Sequence, residues 1–332
     1  MHNLEVRIRR PPTRESDLEV LEAPAPKLTN GSFLARALWL ALDPFLIGPG
    51  GAHPGVKVGD LVPASGVAEV LESRHEVFNV GSLVVLECGL ARLCVSDGQH
   101  ARLLHPGQTP AASALGVLGA PGMAAYFGLL ELAGLRGGET VLVSAAANAA
   151  GAMAGQLAML KGARAIGIAG TREKCDWVTR HARFSACINH GNEDLNARLK
   201  QLAPRGIDVY FDSCGGELLE SIVAGGHFAP AARIVQNSPR PADPLALRAQ
   251  AGDVRVQRVN VRDYEHRRGE FLRDAIAWYG AGRIASKDHV VEGLANAPAH
   301  LMLAMRGGNF GRPLVRVMHE PAARSRPARA RL

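Results

Sequence analysis

At 332 residues, 47% of them apolar and 21% charged, the chain can bury a large core and has room for two domains. A formal net charge of +7 favours anionic partners, yet the arginines are dispersed and aromatic residues make up only 5%, so no basic, stacking face for nucleic acid is expected. Five cysteines (Cys88, Cys94, Cys175, Cys187 and Cys214) form no CxxC pair and have no clustered histidine, which argues for reduced thiols in a cytoplasmic protein over a disulfide framework or a structural zinc. The first ten residues alternate charged and apolar side chains and lack the apolar run of a signal peptide.

From there to about Gly116 the pattern is one of short strands separated by turn residues. Examples are Phe33 to Trp39, Gly66 to Leu71 and Ser82 to Leu86, punctuated by Gly48-Pro-Gly-Gly51 and Pro54-Gly55. A mostly β domain, partly barrel-like, is predicted. Two uncharged runs, Pro110 to Leu130 and Thr140 to Leu160, could span a bilayer by length, but they are rich in Ala, Gly and Ser. A buried helix-turn and a buried βα unit account for them without a membrane.

The second run carries the clearest chemistry. Thr140 to Val143 is β-branched and apolar, small residues follow, and Met153, Leu157 and Leu160 then recur at helical spacing. A strand, a tight turn and a helix are predicted. Ala149, Ala150 and Gly151 are small enough for a pyrophosphate to reach the free N–H groups at the helix start. Asn148 stands at the first position of the usual glycine pattern, where its tolerance of left-handed backbone preserves the turn.

Ala165 to Ala169 reads as a second strand, Ile207 to Asp212 as a later one, and Arg233 to Val235 continues the alternation, which together predict a doubly wound parallel sheet. After the second strand come Gly170, Thr171, Arg172 and Lys174, with no carboxylate before Glu173. A ribose carrying an added phosphate suits those cations better than a bare ribose hydroxyl, so NADP is the expected cofactor. Gly215 and Gly216 serve either a close cofactor approach or a turn. Further on, Arg240-Pro-Ala-Asp-Pro244 breaks the chain, Arg255 to Val261 alternates like a strand, and Tyr264 to Gly282 is amphipathic with Phe271, Leu272, Ala275 and Trp278 on one face. A last strand, Leu314 to Met318, returns the chain to the β domain. The tail from Ala322 is basic and aperiodic, an expected disordered end. Domain one is therefore expected to be discontinuous, with residues 1–118 and 290–332 flanking a dinucleotide-binding domain at 119–289.

Leu42-Asp-Pro-Phe45, Gly66 to Arg74, Gly119 to Gly128, Gly155-Gln-Leu-Ala158, Glu173-Lys-Cys175, Asp208 to Asp212, Gly307-Gly-Asn-Phe-Gly311 and Leu314-Val-Arg-Val317 together span nearly the whole chain. As a set they resemble the zinc-independent medium-chain dehydrogenase/reductases, in the branch of prostaglandin and leukotriene reductases and bacterial curcumin-type reductases. The resemblance implies an α/β chain, a Rossmann domain plus a GroES-like β domain. It also implies NADPH-dependent reduction of the carbon-carbon double bond of an enone or enal. It places Lys174 at the cofactor phosphate, His190 where relatives carry a phosphate-contacting tyrosine, and Asn309 across the cleft from the cofactor. Tyr264 falls in a segment similar to one lining the family's cleft, where its hydroxyl could donate to the developing enolate oxygen.

This chain departs from the family near the substrate. Asp43-Pro-Phe-Leu-Ile-Gly48 replaces a pattern with Tyr and Arg, Ser238 to Asp243 lacks the family's tyrosine, and Ser213 stands for an Asn in the cofactor site. No metal is expected, since Cys88 and Cys94 lack a third ligand. A quinone reductase and a catalytically impaired NADPH-binding protein are the alternative readings, and a homodimer is compatible with each.

Overall fold

The computed structural model describes residues 2–47, 56–238 and 241–320, without side-chain detail at Phe45 or 248–251. The turns expected at Gly48 to Gly55, part of the break at Arg240 and the basic tail lie outside the described residues. Seven strands precede the first helix: β1 His2–Ile8, β2 Leu18–Pro24, β3 Phe33–Ala41, β4 Ser65–Ser73, β5 Leu83–Glu87, β6 Leu93–Ser96 and β7 Arg102–Leu103. Strands β1 and β2 form an antiparallel pair running from His2 opposite Pro24 to Ile8 opposite Leu18. The remaining five enter a larger sheet, which encloses a core of Phe33, Leu40, Val70, Phe78 and Leu86.

Helix α1, Ala120–Phe127, carries Pro121 in its first turn, where the missing N–H costs nothing. It leads into an alternation of β8 Thr140–Val143, α2 Ala149–Leu160, β9 Arg164–Ala169, α3 Arg172–Arg180, β10 Ala186–Asn189, α4 Leu195–Leu202, β11 Ile207–Asp212, α5 Gly216–Ala224, β12 Phe228–Gln236, α6 Pro244–Ala251 and β13 Arg255–Arg258. These six strands are parallel, in the order β10-β9-β8-β11-β12-β13. Successive side chains go to opposite faces. Val141 and Val143 therefore pack with Met153 and Leu157 of α2, while Leu142 joins Leu199 of α4 and Leu219 of α5 in a second core. Burial on both faces is what a doubly wound sheet requires.

The last part comprises α7 Arg268–Gly280, β14 Asp288–Glu292, α8 Ala297–Met305 and β15 Arg312–Arg316. Strand β15 runs antiparallel to β3, and β14 runs parallel to β15, so both extend the N-terminal sheet into β14-β15-β3-β4-β5-β7. Helix α7 begins later than its amphipathic pattern suggests. Val261–Arg267 is a 3-10 segment, because the Asn260 side chain accepts from Arg262 N and starts a tight turn there. Phe271, Leu272 and Ala275 are buried as expected, with Trp278 packed beside them.

Two side chains tie segments far apart in the sequence. Arg312 of β15 donates through both terminal nitrogens to the Asp43 carboxylate, one bond being 2.9 Å, and through Nε to Leu115 O at 2.8 Å. Gln156 of α2, buried, donates through Nε2 to Ala285 O at 2.9 Å and accepts from Ala285 N at 2.7 Å. A side-chain amide here completes a peptide group as a neighbouring strand would.

Candidate functional site: the carboxyl edge of the parallel sheet

The turn from β8 into α2 is tight. Ala145 adopts φ 48°, and its carbonyl accepts from Asn148 N at 2.9 Å. Left-handed backbone at a non-glycine residue costs about 1–3 kcal/mol and persists where its surroundings impose it. Asn148 itself is extended, at φ −86° and ψ 165°, and is the N-cap of α2. The residue under backbone constraint is therefore Ala145, and the expected left-handed role of Asn148 is corrected.

Gly151 also has a different reason from the one expected. A Cβ placed on it would meet Ala145 O at 2.4 Å and Ser144 O at 3.0 Å. Its missing side chain lets the helix lie against the turn, which is the packing role of the last glycine in a nucleotide-binding fingerprint.

The side chain of Asn148 does not cap the helix but accepts from Asn309 Nδ2 at 3.3 Å. The N–H groups of Ala149, Ala150 and Gly151 accordingly have no acceptor among the described residues. Such a helix start, bearing partial positive charge and small side chains, fits a pyrophosphate. Residues lining a small hollow beside it include Asn148, Ala149, Ala152, Ser286, Lys287 and Asp288.

At the end of β9, Gly170 is exposed, and a Cβ on it would meet only His190 Nε2, at 3.5 Å. Thr171 caps α3 by accepting from Lys174 N at 3.2 Å. Lys174 reaches outward, its Nζ donating to Gly307 O at 2.7 Å, and burial lowers its pKa from the ordinary lysine range. A cation so desolvated gains from an anionic partner. Asn309, in the same glycine loop, is buried and also donates to Gly311 O at 2.7 Å. The structure thus brings Asn148, Lys174 and Asn309 together around that loop, with Gly170 and His190 side by side beyond it.

On the other side of β8, at the end of β11, lies a knot that composition and motif did not reveal. Asp212, fully buried at the end of β11, accepts at one oxygen from Ser144 Oγ (3.1 Å), Tyr210 Oη (3.1 Å), Cys214 N (3.1 Å) and Gly215 N (3.0 Å). Ser213 N donates to Ser144 Oγ at 2.8 Å, and Asn237 Nδ2, after β12, donates to Ser213 Oγ at 3.4 Å. Tyr210 is therefore structural. Gly215 and Gly216 both have positive φ, 65° and 55°, so a turn demands them. A carboxylate closing a mostly buried strand was the available signal for Asp212; Asn237 had none.

Tyr264 stands apart from this group. Its ring stacks on Phe127 of α1 with centroids 4.3 Å apart and planes 8° apart, and burial, then Glu131 and Asp263, raise the pKa of its hydroxyl. Among the described residues that hydroxyl makes no hydrogen bond. Tyr126, by contrast, donates to Asp274 Oδ2 at 2.8 Å.

A parallel sheet with free helix-start amides and a lysine after its second strand defines a dinucleotide-binding oxidoreductase. Residues 4–104 match the model for the N-terminal domain of oxidoreductase, and residues 149–251 match that for a zinc-binding dehydrogenase. The chain is 34% identical over 316 residues to prostaglandin reductase 1 of Bos taurus, covering 91% of this chain and 94% of that one. It is 32% identical to the NADPH-dependent curcumin reductase of Escherichia coli K12, covering 87% and 88%. The crystal structure of CurA from Vibrio vulnificus in complex with NADPH superposes with a TM-score of 0.85 at 30% identity, over 96% of this chain and all of that one (100%). The chain belongs to the medium-chain dehydrogenase/reductase family, in the branch of prostaglandin and curcumin reductases. Among the described residues, no group of three or more His, Cys, Asp or Glu is placed to hold a metal, and no helix is long and apolar enough to cross a membrane.

Proposed function

We propose that this chain is a cytoplasmic, NADPH-dependent ene-reductase that reduces the carbon-carbon double bond of α,β-unsaturated ketones and aldehydes without a metal. The observation that carries the cofactor choice is the end of β9, where Gly170 is exposed, no carboxylate follows before Glu173, and the half-buried ammonium of Lys174 lies in the first turn of α3. The relatives' names, prostaglandin reductase and NADPH-dependent curcumin reductase, support the same chemistry. Residues 1–118 and 290–332 form the substrate domain in this reading, and 119–289 the nucleotide domain.

When bound, NADPH supplies a hydride to the β-carbon of the conjugated substrate. The N–H groups of Ala149, Ala150 and Gly151 hold the pyrophosphate, with Asn148 and Asn309 bracing the loop above it. Lys174 neutralises the ribose phosphate and His190 donates to it. Ser213 would line the same cofactor site. Negative charge then builds on the substrate's carbonyl oxygen, and Tyr264 donates a hydrogen bond there.

The test is consumption of NADPH and of NADH against matched panels of enones, enals and quinones, with and without a chelator. Enone turnover with NADPH that survives the chelator is expected. Preference for quinones would make this a quinone reductase. Stoichiometric NADPH binding without turnover would make it a cofactor-binding protein that has lost catalysis. Sedimentation of the purified chain tests the homodimer that this reading allows.

A further inference from the structure

Nothing in the proposed reaction uses Cys175 or Cys187. Cys175 lies in the first turn of α3, directly after Lys174, and Cys187 lies in β10 opposite Gly167 of β9. Both thiols are free, and Cys187 Sγ donates to Cys175 Sγ at 2.7 Å. A disulfide holds its sulfurs about 2.05 Å apart, so closing this pair needs a movement of well under about 1 Å. Cys187 is partly exposed and Cys175, in contact with it, is buried, so a small reagent reaches the pair past Cys187. Cys88 and Cys94 are also neighbours, but both are sealed in the N-terminal core.

We propose that Cys175 and Cys187 are a reversible dithiol modification site, closed to an intramolecular disulfide by hydroperoxides and coupled to the grip of Lys174 on the cofactor phosphate. The two thiols are unequal. The hydrogen bond from Cys187 holds the Cys175 thiol below its ordinary range although burial opposes it, while the same bond and burial push Cys187 up. The more acidic sulfur is the attacking one.

The Cys175 thiolate attacks the terminal oxygen of the hydroperoxide and the O–O bond breaks; the departing alkoxide, which is hydroxide in the case of hydrogen peroxide, takes up the proton the thiol had released and leaves as alcohol or water, with a sulfenic acid left on Cys175. The Cys187 sulfur, giving up its proton, then attacks the Cys175 sulfur. The S–S bond forms, the S–O bond breaks, and water leaves. The two thiols lose two electrons and the peroxide gains them.

The link to the cofactor is local. Cys175 N donates to Thr171 O at 3.1 Å, and Thr171 also caps Lys174, so the turn that carries Lys174 moves with Cys175. This coupling, unlike the disulfide itself, rests on NADPH being the cofactor.

The purified full-length chain is treated with stoichiometric hydrogen peroxide, alkylated under denaturing conditions and mapped by peptide mass spectrometry. A Cys175–Cys187 linkage reversed by dithiothreitol is expected, with Cys88 and Cys94 still alkylated. Cys187→Ser should stop at a dimedone-trapped sulfenic acid on Cys175. Two intact thiols in the wild-type chain, or pairing with another cysteine, overturns the site. NADPH and NADH affinities are then compared in the reduced and oxidised forms, where several-fold weaker NADPH binding on oxidation with NADH unchanged is expected. No change, or equal change for both cofactors, overturns the coupling. A reduced chain that binds NADPH no better than NADH defeats the cofactor assignment instead and leaves the disulfide result standing.

Discussion

The two ends of the parallel sheet's carboxyl edge are built differently. At the β9 end, Lys174, Gly307 and Asn309 form a chain of direct contacts that starts from the Thr171 cap and ends on Asn148. At the β13 end, Tyr264 rests on an aromatic ring and its hydroxyl is left without a partner among the described residues. Phosphates can be met by backbone and fixed charge, so a site for them is built from direct contacts. A carbonyl oxygen that gains charge needs a donor left free to reach it.

Four substitutions sharpen or break this contrast. The largest effect is expected from Gly151→Val, whose branched carbons run into Ala145 O. Overpacking against backbone should cost about 3 kcal/mol or more of stability and abolish NADPH binding. Thermal melting and cofactor titration report it, and normal NADPH binding would place the nucleotide elsewhere. At the opposite end, Tyr264→Phe removes only a hydroxyl. If that hydroxyl stabilises the enolate, turnover falls about a hundredfold with NADPH affinity and melting temperature kept. An unaltered turnover number takes Tyr264 out of the chemistry.

Lys174→Ala should weaken NADPH by about 1–3 kcal/mol, with NADH, lacking the phosphate, changed far less. Equal losses in calorimetry would mean that the lysine serves only the Gly307 contact. Asn148→Gly is the smallest. Because its backbone is extended and its side chain does not cap α2, the cost should be a few tenths of a kcal/mol. A large loss of NADPH affinity would show that the contact with Asn309 governs the nucleotide site.

What was legible in the sequence follows the same division. Strand β8 was readable to the residue because four β-branched or apolar side chains are followed by nothing larger than Asn148. The place of Lys174, just past the second strand, was readable from the apolar run that stops at Ala169. Ala145 was not, since alanine has no preference for left-handed backbone and the constraint comes from Gly151 folding over it. The Asp212 knot was hidden because its partners, Ser144 and Tyr210, look like ordinary strand residues until the sheet brings them together. Strands β10 and β14 were missed for lack of contrast. Each is short, and β14 is flanked by Asp288 and Glu292 with every residue at least partly exposed.

Gln156 has a mechanical consequence. Its amide occupies both backbone groups of Ala285, in the segment that leads from α7 into β14. That segment cannot slide along α2 without breaking two bonds at once, yet the chain on either side of the pinned Ala285 can swing through its own backbone dihedrals with both intact. Opening of the cleft between the two sheets is therefore expected to be a hinge motion with its axis near Ala285, and shear along the helix is disfavoured.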